Sequence, residues 1–155
     1  MLILVFKVEK NVYALPCGQV IECIPGIRPE PIPRSPQYVA GTINYRGQVV
    51  PVLDLCALVA HKPAPPLYST RLIVVNYPLN ANQSAPLALL AQEVVSYSEF
   101  DPKSAAKYDG LLIQDAKYLG KLYKYRGQMM QFIQVEELLT EDVRQTLFAR
   151  STGGT

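Results

Sequence analysis

Apolar and polar residues alternate through the opening stretch LILVFKVE, where Leu2, Leu4, Phe6 and Val8 fall on one side and Lys7 and Glu9 on the other, the period of a β-strand. The polar triplet EKN then returns the chain into VYALP, so a hairpin opens the fold. A second apolar run, QVIECI, leads into PGIRPEPIPRSP, whose five prolines between Pro25 and Pro36 remove amide donors and make the segment an ordered loop. From Thr42 the order is TINY, RG and QVVPVLDL, a strand, a tight turn and a strand. Because arginine is a poor choice for a positive-φ turn position, a type I turn closed by Gly47 as a G1 bulge is expected. Asp54 stands where its side chain can cap a short helix over LCALV.

HKPAPPLYST, rich in proline and without periodicity, reads as a linker, and the β-branched run RLIVVNY starts a new set of strands. PLNANQSAP is expected to be a hairpin loop, LALLA and EVVSYS strands, and EFDPKSAAKYDG an exposed connection. TEDVRQTLFAR carries Thr140 as N-cap, acids in the first turn and Val143, Leu147 and Phe148 on one stripe, which predicts a helix over 141–149. STGGT, residues 151–155, is expected to be a disordered tail.

The tetrapeptide YRGQ occurs twice. At a shift of 118 − 38 = 80, Tyr38, Tyr45, Arg46, Gly47, Gln48 and Leu58 recur as Tyr118, Tyr125, Arg126, Gly127, Gln128 and Leu138. The apolar positions Val49, Val50, Val52, Leu53 and Leu55 recur as Met129, Met130, Phe132, Ile133 and Val135. Upstream, ALPCGQVI from Ala14 parallels ALLAQEVV from Ala88 at a shift of 88 − 14 = 74, the difference absorbed in loops. A β unit of about half the chain is therefore duplicated. Each copy is too small to be robust alone, so two small barrels packed about a pseudo-two-fold are expected, with a groove at their junction.

With 155 residues and 49% hydrophobic content the chain is long enough for a sizeable core. Lys+Arg 15 against Asp+Glu 13 leaves a formal charge of +2, which by itself implies no polyanion-binding surface. Cys17, Cys23 and Cys56 form no CxxC pair, so neither a metal site nor a disulfide framework is indicated, and free thiols in a cytoplasmic protein are expected. The N-terminus lacks a basic leader and no run approaches membrane-spanning length, so no direct membrane insertion is expected.

Little in the chain suggests catalysis. His61 is the only histidine and sits in the linker, and no nucleophile elbow, P-loop, GxGxxG or HExxH occurs. Glu22 and Asp54 could be imagined as a carboxylate pair, but the cap is the better use of Asp54. No catalytic residue and no cofactor is assigned. An alternative of another class is a single-stranded nucleic-acid binder stacking bases on Tyr45 and Tyr125 with Arg46 and Arg126 near phosphates, and KLYKYR from Lys121 is the most basic stretch that could serve it. Tyrosines half-buried in strands are the plainer reading, and with no basic stripe nucleic acid is not an expected partner.

The segment YVAGTINYRGQVVPVLDL closely resembles the signature of the CheW-like family, the adaptors that couple chemoreceptors to the CheA histidine kinase in bacterial taxis. LVFKVEKNVYALPCGQVIECI looks like the family's opening hairpin and following strand, and YLGKLYKYRGQMMQFIQVEELL like its second strand pair, so the resemblance runs from about Leu2 to Leu139. It implies a mainly β, CheW-like domain over 1–150, built of two intertwined five-stranded SH3-like barrels. Barrel one is expected at about 10–70 and barrel two at about 71–139, with the N-terminal strand packing across. It further implies no catalysis, and a cytoplasmic protein recruited to membrane receptor arrays. The implied partners are the receptor's cytoplasmic coiled-coil tip in the groove, the regulatory domain of a CheA-type kinase, and similar CheW-like neighbours. Carried over by position, Val20, Glu22 and Arg46 face the receptor, and Gly41 falls where a side chain would disturb kinase contact. Asn44, Gly47, Pro51 and Asp54 match signature positions and are assigned first to turn, bulge and cap. Ala88, Gln92, Lys121 and Gln134 depart from the family's usual residues in the second half, which permits a divergent adaptor serving a pilus-based or light-directed motility system in place of a flagellar one.

Overall fold

A computed structural model describes residues 1–64, 70–108 and 116–152. The first repeat supplies β1 (Leu2–Val8), β2 (Asn11–Pro16), β3 (Val20–Pro25), β4 (Val39–Tyr45), β5 (Gln48–Asp54) and the helix α1 (Leu55–Ala60). The second supplies β6 (Arg71–Asn80), β7 (Gln83–Ala91), β8 (Glu93–Glu99), the two-residue β9 (Lys107–Tyr108), β10 (Leu119–Tyr125) and β11 (Gln128–Ile133), followed by the helix α2 (Glu141–Thr152). Residues 65–69 of the expected linker, residues 109–115 and the last three residues of the expected tail lie outside the described residues.

The strands form one sheet in the order β8-β1-β2-β11-β10-β9 and a second in the order β3-β6-β7-β5-β4. Setting the short β9 aside, the two orders are the same once each strand is exchanged for its repeat mate. The two parallel contacts show this to the residue. Phe132 lies opposite Ala14 in the first sheet and Val52 opposite Ala88 in the second, and 52 + 80 = 132 while 14 + 74 = 88. Each repeat therefore lends its opening hairpin, β1–β2 or β6–β7, to the sheet of the other.

This exchange corrects the boundary expected near residue 70. The opening hairpins are apolar on both faces and need cover on both. In β1, Ile3 and Val5 pack with Val12, Ala14, Tyr123 and Met130 inside the first barrel, while Leu4, Phe6 and Val8 pack between the sheets. In β6, Leu72 and Val74 line the second barrel with Ile43, Tyr45 and Val52, while Ile73, Val75 and Tyr77 join the layer between sheets. The simple alternation read from LILVFKVE is thus only half of the pattern, and Leu2, assigned there to the buried face, is 47% exposed. Continuous apolar runs are what strands buried on both faces require.

The hairpin β6–β7 is longer than its sequence suggested, with Asn80 paired to Gln83, so most of PLNANQSAP is strand and not loop. Both YRGQ turns also differ from expectation. Arg46 and Gly47 have φ of 51° and 78°, Arg126 and Gly127 of 48° and 79°, and Tyr45 pairs directly with Gln48 and Tyr125 with Gln128. Two central residues with positive φ between directly paired flanks make a two-residue type I′ turn, whose twist matches the strands, and no G1 bulge is needed. The left-handed arginine costs about 1–2 kcal/mol. Stacking each guanidinium on the preceding tyrosine ring, at 5.2 Å for Arg46 and 5.1 Å for Arg126, offsets part of it.

Asp54 is buried at the end of β5. Its carboxylate accepts from the N–H groups of Cys56 (2.9 Å), Ala57 (3.2 Å) and Ala64 (2.8 Å), which starts α1 and ties the chain beyond the helix back to it. The repeat mate Gln134 makes no side-chain cap, and only a 3-10 turn over Val135–Glu137 follows it. Asp54→Ala is expected to lower the unfolding free energy in urea by about 2–3 kcal/mol, since it removes a cap and leaves buried donors unpaired. The helix α2 seals the layer between the sheets, stacking Phe148 on Tyr77 with ring centroids 5.3 Å apart and donating from the Arg144 guanidinium to the Leu79 carbonyl. It continues through Ser151 and Thr152, so the expected tail begins no earlier than Gly153, the first glycine after Gly127.

Candidate functional site

The two sheets curl until their opposite edges meet through side chains. In the second barrel the edges are β3 and β4. Across this closure the Tyr45 hydroxyl donates to Glu22 Oε1 at 2.5 Å, and Arg46 Nη2 lies 3.1 Å from the same carboxylate oxygen. Accepting that bond, Glu22 pushes the Tyr45 phenol above its ordinary value of 10. In the first barrel the mate Tyr125 spans from β10 to β8 and bonds Ser98 at 2.6 Å. Glu22 and Arg46, singled out separately in the sequence, are therefore partners in one closure. Arg126 is stacked on Tyr125 in the same manner, but with a serine in place of the carboxylate across the barrel.

Tyr45 is 8% exposed, its hydroxyl is engaged in the closure, and its own arginine covers its face, so it offers no open ring to a nucleic-acid base. Val20 sits on the same strand as Glu22, half-buried against the layer between the sheets and opposite Val75. Asn44 is exposed on β4 opposite Val49, and Pro51 is buried opposite Thr42.

Gly41 is not at the surface. It is buried with φ +139°, and a Cβ there would stand 2.0 Å from the Glu30 carbonyl oxygen. Glu30 and Thr42 exchange two backbone hydrogen bonds of 2.8 Å, so the proline loop lies as a short extra rung on β4, directly over Gly41. The repeat mate Lys121 is exposed.

Four residues that the sequence reading did not single out surround the pseudo-two-fold. The edge strands β3 and β8 are repeat mates at a shift of 74, and both are bulged: Ile21 interrupts the pairing of β3 with β6, and Val95 that of β8 with β1. Both bulged residues are exposed, Ile21 at 38% and Val95 at 45%. Two residues further along each strand, Cys23 and Tyr97 meet with Sγ 3.7 Å from the phenol oxygen. Since 23 + 74 = 97, this contact joins two mates across the axis. Tyr97 is 55% exposed, and hydrogen bonding to Cys23 with partial burial pushes its phenol up to about 12. Leu2 pairs with Glu99 at the end of the same strand. The barrels thus present, where their edges approach, an exposed apolar strip of Leu2, Ile21, Val95 and Tyr97, with the Glu22–Arg46 pair on the other side of β3. Only the doubled apolar-polar pattern of QVIEC and EVVSY could have flagged it.

No helix among the described residues is long and apolar enough to cross a membrane, and no group of three or more metal-ligating side chains occurs among them. Cys56 is fully buried, and burial, with the Asp54 charge adding, pushes its thiol up to about 11, away from reactivity at neutral pH.

The CheW-like domain family matches the chain over residues 2–143. A probable chemotaxis protein CheW of Rhizobium etli is 51% identical over 35 residues, 23% of this chain and 23% of that protein, so the match spans about a quarter of its length. Among solved structures, the scaffolding protein TtCheW of Thermoanaerobacter tengcongensis superposes with a TM-score of 0.73 at 23% identity, over 86% of this chain and 84% of that one, a likeness of fold.

Proposed function

The chain belongs to the CheW-like domain family, and on that premise we propose that it is a non-enzymatic cytoplasmic adaptor that couples the cytoplasmic tip of a chemoreceptor to the regulatory domain of a CheA-type histidine kinase. The observation that supports this reading most is the apolar strip at the pseudo-two-fold, bordered by the fixed ion pair Glu22–Arg46. Exposed apolar side chains contiguous across two strand edges and rimmed by charge are the anatomy of a protein-docking surface. The receptor tip takes this strip, with Val20 supporting it from below and Glu22 and Arg46 giving charge selectivity. Kinase and CheW-like neighbours take the ends of the barrels, and the proline loop held over Gly41 belongs to that second surface.

Titration calorimetry with a receptor-tip coiled coil and, separately, with the kinase regulatory domain from the same cell tests this reading. Val95→Asp puts a charge on the strip and is expected to weaken receptor binding at least about tenfold, leaving kinase binding within about twofold. Arg46→Glu sets a second carboxylate beside Glu22 and is expected to do the same. Receptor binding that survives both changes would remove the strip from the proposal, and absence of binding to either partner would reject the adaptor reading.

A further inference from the structure

The Cys23–Tyr97 contact takes no part in either barrel closure and is not needed to bury either residue: Tyr97 stays 55% exposed, and Cys23 is half-buried. It nonetheless fixes the direction of the largest exposed side chain on the strip. Tyr97 stands opposite Leu4 on β1 and reaches Cys23 on β3 with its hydroxyl, and the exposed Ile21 and Val95 each lie two residues earlier on the two joined strands. A tyrosine so placed has the properties of an interface anchor, a large apolar face with little rotamer freedom left to lose. Either group can donate in this weak contact, and the phenol, pushed up to about 12, keeps its proton throughout the neutral range.

We propose that Tyr97 is the central partner-contacting residue of the inter-barrel strip and that Cys23, its repeat mate, is a positioning residue that holds the ring in its docking orientation. The proposal rests on the reading of the strip as the receptor-docking surface. It assigns the partner an apolar helical face that packs on the Tyr97 ring. It also places a thiol at the centre of that surface: alkylation of Cys23 adds a group where the phenol rests and displaces the ring.

Receptor-tip binding by calorimetry on the full chain, in a Cys17→Ser background, tests this with Tyr97→Phe, Cys23→Ala, the double variant, and Tyr97→Ala. Loss of one weak hydrogen bond predicts a weakening of about three- to tenfold for each of the first two, and the double variant should be no worse than either single one. Tyr97→Ala should lose more than about thirtyfold, as anchors do. Kinase-domain binding and the thermal midpoint serve as readouts that a merely structural role would move, and both should hold. N-ethylmaleimide should abolish receptor binding in the Cys17→Ser protein and not in Cys17→Ser/Cys23→Ala, and bound receptor tip should slow the labelling. Additive effects of Tyr97→Phe and Cys23→Ala, or Tyr97→Ala binding as the parent does, would overturn the proposal. If Val95→Asp is also without effect, it is the strip itself that has failed; if Val95→Asp weakens binding while the Tyr97 and Cys23 variants do not, the roles given to Tyr97 and Cys23 fall and the strip stands.

Discussion

Gly41→Ala is expected to detach the proline loop from β4 and to lower the unfolding free energy by at least about 3 kcal/mol, an effect in the range of severe single substitutions. Two independent penalties combine. A φ of +139° is backbone that an L side chain adopts only under strain, and the added carbon would sit 2.0 Å from the Glu30 carbonyl oxygen and 2.6 Å from its carbon. Neither atom is the free end of a side chain; both belong to the backbone that pairs with Thr42. The molecule can respond only by moving the loop, which surrenders both Glu30–Thr42 hydrogen bonds and uncovers the edge of β4. Urea denaturation followed by tyrosine fluorescence measures the stability, and amide exchange at Glu30 and Thr42 measures the loop. Unchanged protection at both amides with wild-type stability would show that the loop accommodates the methyl, and that the buried position has no packing role.

The same geometry changes what Gly41 can say about function. A side chain at a buried glycine cannot touch a kinase without first displacing residues 30 and 31. Loss of kinase binding in Gly41→Asp would therefore report on the seating of the proline loop, where Ile27 is 49% exposed, and not on a contact at Gly41 itself. Substitutions of Ile27 separate the two, because that side chain is about half exposed on the loop and leaves the Gly41 position unchanged.

Much of the fold could be read from the chain. The shift of 80 between the YRGQ segments fixed which strands are equivalent, and the turn residues marked both hairpins. Which strand joins which sheet could not be read from the repeat, because exchange between repeats leaves the period unchanged. Its trace in sequence is the doubly apolar character of β1 and β6, which reads as ordinary alternation in LILVFKVE when only every second residue is followed. The type I′ turns were missed because arginine is rare at positive φ, and the tyrosine that steadies it precedes it by only one residue. Of the candidate site, Glu22 and Arg46 were named, but their union was not legible, since they lie 24 positions apart on strands that share no backbone pairing. Ile21 and Val95 were hidden by their bulges, which turn a residue outward against the local period. Cys23 and Tyr97 were hidden by unlike chemistry at equivalent positions, which an eye searching for identities passes over.

Cut within the linker and expressed separately, residues 1–66 and 67–155 are expected to remain unfolded apart and to assemble one-to-one when mixed, with recovery of native ellipticity and a cooperative melt. The reason is the exchange of hairpins. The first fragment holds β3, β4 and β5 without the β6–β7 hairpin that joins β3 to β5, and holds β1–β2 without β8 and β11 on either side. The second has the mirror deficiency. Each fragment alone also exposes one face of its opening hairpin, because the layer between the sheets, with Leu4, Phe6 and Leu15 from one and Ile73, Val75 and Leu87 from the other, has no second side. At about 25 cal/mol per Å² of apolar surface left in water, half of such a layer outweighs the few kcal/mol that separate folded from unfolded in a small domain. One competing outcome is built into the pseudo-symmetry: a fragment could close on itself by pairing its own β2 with its own β5, placing Ala14 beside Val52. The native partner of Ala14 is the larger Phe132, which packs on Phe100 and Tyr123, and all three rings belong to the second fragment, so such a barrel would lack the aromatic filling of the native one. Native mass spectrometry distinguishes the outcomes. A folded monomeric fragment with a cooperative melt would mean that self-closure suffices and that the exchange is not what holds the two repeats together.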